Sequence, residues 1–137
     1  ISVNGADSFV VTGYENSNLK AVRLGLGAFG SAPNVVFNRT VSAGSDPLKG
    51  VTAHYNSTNQ QITFVGRYGT GSHKETLLWR SNLDGTSVQS YGNRGNGMHN
   101  PGINMDPVAT FWGGDTLFGL GTWMLNPYYQ VFKFDMN

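Results

Sequence analysis

The sequence predicts an all-β chain made of three related antiparallel units. Three observations predict it. No stretch keeps apolar residues at helical spacing for three turns. Short β-branched and aromatic runs recur along all 137 residues, broken by Gly, Asn, Asp and Pro. The opening segment ISVNGADSFVVTG has two partners further on, VTAHYNSTNQQITFVG and VATFWGGDTLFGLG. Each is a strand, a Gly- or Asn-rich turn, and a second strand that closes on glycine. The closing residues Gly13, Gly66 and Gly121 lie 53 and 55 residues apart.

In chain order, ISV and SFVVTG make the first hairpin around the turn residues Asn4, Gly5 and Asp7, where Asp bonds nearby backbone amides. LKAVRLGL supplies its third strand and NVVFNRT a fourth. Asp46-Pro47 then precedes GVTAHY and QITFVG, and Asp106-Pro107 precedes VATFW and TLFGLG. Proline cannot donate to a ladder, so it suits the first residue of a strand. ETLLWRS and TSVQSYG read as the third and fourth strands of the second unit, and YQVFKFDM as the third strand of the last. The stretches NRGNGMHNPGINMDP and WMLNPYYQ read as loops, the latter aromatic. Second strands such as TFV and LFGL are apolar on both faces, as expected of strands packed between neighbouring sheets. One domain over 1–137 is expected, with units 1–50, 51–107 and 108–137.

A period of about 40 to 55 residues with four strands per unit resembles the blades of a β-propeller. LLWRSNLDGTSVQSYG is similar to a blade's third strand, turn and outer strand. SNLDGT resembles the Asp-box turn of sialidase-type propellers, without its spacing or closing aromatic. Propellers hold about four to eight blades. The resemblance therefore implies a piece of a longer chain or a ring of several copies, and a start at Ile1 without methionine agrees with a processed product. The alternative is a β-sandwich or barrel of the viral fibre-head type.

Composition narrows the function. Only 12% of residues are charged and the net charge is +1, so no basic field is available to hold nucleic acid. No run of 18 apolar residues occurs, so no membrane-inserting helix is expected. Cysteine is absent, which excludes disulfides, thiol catalysis and thiolate metal sites. Glycine, at 19 residues, is about twice as frequent as in average proteins. Gly- and Asn-rich, charge-poor chains suggest an extracellular protein or a virion surface.

Few residues are placed for chemistry. His54, His73 and His99 fall in separate segments without metal-ligand spacing, and no metal or cofactor is expected. No nucleophile elbow, phosphate loop or dinucleotide fingerprint is present. Asp46 and Asp106 are the carboxylates a propeller glycosidase would use, a resemblance weighed against a simple turn at Asp-Pro. Aromatic residues carry the stronger hint, because sugars stack on rings while planar polar groups hold their hydroxyls. Arg67, Tyr68, Glu75, Trp79, Trp112 and Trp123 are the candidate ligand-binding residues. Arg67, Glu75 and Trp79 resemble the sugar-gripping set of fucose-binding propeller lectins, with different spacing and no recurrence in the other repeats. The expected function is a non-enzymatic binding or attachment module for a surface glycan or protein receptor, acting as a homo-oligomer or within a larger assembly. A structural virion or filament component and a piece of a propeller glycosidase are the alternatives.

Overall fold

A computed structural model describes residues 8–71, 74–113, 116–123 and 126–135. Those residues form ten strands and no helix. The strands are β1 (Ser8–Glu15), β2 (Asn18–Gly25), β3 (Asn34–Val41), β4 (Leu48–Asn56), β5 (Gln61–Tyr68), β6 (Glu75–Asn82), β7 (Met98–His99), β8 (Asp106–Gly113), β9 (Thr116–Trp123) and β10 (Asn126–Asp135). They build three antiparallel sheets, ordered β1-β2-β3, β4-β5-β6-β7 and β10-β9-β8. We call these sheets 1, 2 and 3. The expected first strand, Ile1–Val3, and its turn lie outside the described residues.

The tight turn of sheet 1 is at Asn16-Ser17, between the cross-strand pair Glu15 and Asn18. Both residues have positive φ, 49° and 66°. That is the backbone of a two-residue hairpin turn whose twist matches its strands. Pro47 immediately precedes β4, and Pro107 sits at the start of β8 beside a register shift, as proline's missing N–H requires.

The fourth strand of sheet 2 is a correction. TSVQSYG forms no strand, and only Ser87 bridges to Ser81. The pairing with β6 is made instead by Met98 and His99, within the segment expected to be irregular. Asp84 explains the diversion: its carboxylate accepts from the Thr86 N–H at 2.9 Å and the Thr86 hydroxyl at 2.6 Å, closing a turn just after β6. WMLNPYYQ is also mostly strand, because β9 ends at Trp123 and β10 begins at Asn126.

Sheet 2 is the middle layer. Strands β1 and β2 pack on β4, while β8 packs on β4, β5 and β6. Strand alternation divides the core into two clusters. Ile62, Phe64, Leu77 and Trp79 face sheet 1, where they meet Val10, Leu19, Ala21 and Phe37. Val65 and Leu78 face sheet 3 and meet Leu117, Phe132 and Met105. The doubly apolar pattern of QITFVG and ETLLWRS is therefore a strand pair buried on both faces. Arg23 ties sheet 1 to sheet 2 by donating to the Leu83 carbonyl at 2.8 Å. His54 of β4 and Thr110 of β8 are hydrogen-bonded at 2.9 Å between sheets 2 and 3.

Candidate functional site

The predicted residues do not converge on one site. Arg67 and Thr76 are cross-strand partners, as are Tyr68 and Glu75, one step along the same strands. With a side-chain period of two, Arg67 takes the face of sheet 2 opposite Tyr68, Glu75 and Trp79. Arg67 serves an ion cluster between sheets 2 and 3. Asp106, at the head of β8, accepts from the Arg67 guanidinium at 3.0 Å and the Lys74 ammonium at 3.2 Å. On the other face Tyr68 lies under the Arg94 guanidinium, 4.8 Å from the ring centre. Glu75 accepts from the Asn100 side-chain amide at 2.7 Å. Each of these groups is tied to a protein partner.

Trp79 is a core residue. It is 1% exposed, and its ring lies 4.8 Å from that of its cross-strand partner Phe64, tilted by 30°. Its indole N–H donates to the Ser87 hydroxyl at 3.0 Å. A ring so enclosed offers no face for a sugar to stack on. Trp112 and Trp123 belong to β8 and β9, but their side chains lie outside the described residues, as does His73.

Burial sets the titration of the remaining imidazoles. His54 is pushed down to about 4 by desolvation, so it is neutral at pH 7. His99 is lowered, first by burial and then by the charge of Arg80. Arg80 lies 3.8 Å over the Tyr91 ring, and burial pushes the Tyr91 phenol up to about 12. These groups pack in the seam between sheets 2 and 3. Among the described residues no three His, Asp or Glu side chains gather to hold a metal.

A groove opens elsewhere on the molecule. A groove of about 600 Å³ runs between the C-terminal half of β3 and the connection from β6 to β7. Arg39, Thr40, Val41 and Ser42 form one wall, and Gly85, Thr86, Ser87, Gln89 and Asn96 form the other. Trp79 and Met98 close the bottom. Arg39 Nε donates to the Gly85 carbonyl at 3.3 Å, joining the walls at one end. Gly85 has φ +81°, and a Cβ there would meet the Phe37 ring at 2.7 Å. Only glycine both accepts that backbone and lets the turn close onto sheet 1. The polar part of the lining is hydroxyls, side-chain amides and one guanidinium, set among the apolar Val41, Trp79 and Met98, with no carboxylate, imidazole or ammonium.

The sequence does not single out these groove residues, because the walls come from segments more than forty residues apart that only the packing of sheet 1 on sheet 2 brings together. The LDGT turn was the available signal, since Asp-x-Thr after a strand marks a side-chain-capped turn that ends the ladder. Comparisons with family models, curated proteins and solved structures find no match to this chain.

Proposed function

We propose that the chain is a non-catalytic binding module, built from propeller-type repeats, that takes a neutral glycan in the groove between β3 and the β6–β7 connection. One observation carries this: beside Val41, Trp79 and Met98 the groove presents hydroxyl, amide and guanidinium groups and no group that titrates near neutrality. Such a set can donate to and accept from many hydroxyls, and it supplies neither a general acid nor a base. A volume of about 600 Å³ lies within the range of small-molecule sites. The role assigned earlier to Arg67, Tyr68, Glu75 and Trp79 passes to Arg39, Ser42, Thr86, Gln89 and Asn96. A charge-poor, Gly- and Asn-rich surface supports display outside the cell or on a virion.

The test is a glycan array with the purified chain, followed by titration of the best glycan into Arg39→Ala and Gln89→Ala. Both side chains are exposed, so Gln89→Ala should melt with the wild type and Arg39→Ala, which loses its bond to Gly85, slightly below it, while binding falls at least tenfold in both. Absence of binding to any glycan, or full binding by both variants, overturns the proposal.

A second reading, a structural component of an assembly, is favoured by the apolar outer faces of sheets 1 and 3. Val11, Val35, Phe111, Tyr129 and Val131 are all at least half exposed. Large exposed apolar patches mark interaction surfaces.

A further inference from the structure

Each of the three sheets contains an antiparallel hairpin closed by a glycine-bearing strand, and these hairpins can be aligned on that glycine. Aligning Gly13, Gly66 and Gly121 makes the cross-strand pairs Val11–Val22, Phe64–Trp79 and Gly119–Phe132 equivalent. In sheets 2 and 3 this pair faces the preceding sheet: Phe64 and Trp79 pack on sheet 1, and Phe132 packs on sheet 2. The next pairs along, Thr12–Ala21, Val65–Leu78 and Leu120–Val131, are equivalent in the same way. In sheets 1 and 2 these face the following sheet: Ala21 packs on sheet 2, and Val65 and Leu78 pack on sheet 3. A third set agrees. Arg23, Arg80 and Lys133 are equivalent, each opposite Val10, Thr63 or Phe118. Arg23 uses that position to reach forward to the Leu83 carbonyl of sheet 2.

Two halves of this interface have no counterpart within the chain's described residues. The backward face of sheet 1 carries Val11 and Val22, with the row Phe9, Leu24 and Val35 beside them. The forward face of sheet 3 carries Leu120 and Val131, with Phe111 stacked on Phe118 at 5.1 Å and with Tyr129. Val11 is 50% exposed, Phe111 63% and Val131 77%.

We propose that these two faces bind one another between copies of this chain, sheet 3 of one copy docking on sheet 1 of the next. The contact continues the stacking already made twice inside the chain. It is heterologous, because the two faces differ, so it propagates to a ring or a filament. The bulk of the side chains supports this pairing over a symmetric one. Inside the chain, Phe64 and Trp79 of sheet 2 meet Val10, Leu19, Ala21 and Phe37 of sheet 1, two apolar faces of mixed side-chain size. Phe111, Phe118 and Tyr129 of sheet 3 would meet another apolar face of mixed size, carried by Phe9, Val11, Val22, Leu24 and Val35 of sheet 1. Two sheet 3 faces together would oppose ring to ring. This proposal is independent of the groove, whose lining shares no residue with either docking pair.

The experiment uses sedimentation velocity on the wild type, Val11→Asp, Val131→Asp and an equal mixture of the two variants. Both sites are exposed, and far-UV circular dichroism with melting curves checks that each variant stays folded. At high micromolar concentration the wild type is expected to sediment as multiples of 14.8 kDa and each variant as a monomer. The mixture should form a dimer and nothing larger, because each variant keeps the one good face the other lacks. A monomeric wild type overturns the proposal. So does self-association by either variant alone, which would show a symmetric contact through its intact face, or a mixture that stays monomeric. Loss of glycan binding with assembly intact would strike only the groove.

Discussion

Trp79→Ala should cost the fold about 4 kcal/mol, not merely weaken a ligand. The indole is 1% exposed and sits in the seam between sheets 1 and 2. Deleting a buried tryptophan side chain costs about 3–5 kcal/mol, because transfer free energy is lost and the cavity collapses only in part. Its ring contact with Phe64, at 4.8 Å, contributes about 0.5–1.5 kcal/mol beyond area alone and lies within that range or slightly above it. A domain of this size has about 5–15 kcal/mol in total, so the substitution removes a large fraction. Trp79→Phe separates the contributions. It keeps an aromatic ring against Phe64 and removes the indole N–H that donates to Ser87 at 3.0 Å. Ser87 is only partly buried and can turn to water, so about 1–2 kcal/mol is expected for the lost bond and the smaller ring. Urea unfolding followed by far-UV circular dichroism measures both, independently of tryptophan emission. If Trp79→Ala unfolds within about 1 kcal/mol of the wild type, the size of a typical tolerated substitution, the ring is not core and its assignment here is refuted.

His54 and the Asn16-Ser17 turn carry two further expected outcomes. His54 is depressed to about 4 by burial, whereas an unfolded histidine titrates near its ordinary value of 6.5. The unfolded state therefore takes the proton first, and stability falls as pH drops from about 6.5 towards 4 and is unaffected by this group above that window. The loss is on the order of 2 kcal/mol once screening by the solvent that reaches the ring is allowed for. His54→Gln should flatten that limb of the stability curve, and an unchanged slope would refute the assignment. Ser17→Gly should raise stability by about 0.5–1 kcal/mol, because serine at φ 66° strains a turn that glycine makes freely. A lower melting temperature than the wild type would count against that turn geometry.

Much of the fold was legible in the chain. The period-two alternation in QITFVG and ETLLWRS is a local property of extended backbone, and it identified strands apolar on both faces. The closing glycines are equally local, and Gly13, Gly66 and Gly121 each fall two residues before the end of a strand. TSVQSYG was misread because its β-forming residues were outweighed by hydrogen bonds of Asp84 to Thr86. Those bonds terminate the strand and free the ladder edge for Met98 and His99.

The candidate site was less legible. Alternation alone separates Arg67 from Tyr68, Glu75 and Trp79, yet their types and nearness in sequence suggested one cluster. The partners that occupy them are distant in the chain: Asp106 for Arg67, Arg94 for Tyr68, Asn100 for Glu75. By itself, then, the sequence determined the all-β class and most of the strands, because both follow from the short-range geometry of a pleated chain. Tertiary structure decided which apolar face is covered and where a groove opens. Trp79 is core because sheet 1 lies over it. The groove exists because β3 and the turn at Gly85, far apart in sequence, are brought together by the packing of sheet 1 on sheet 2.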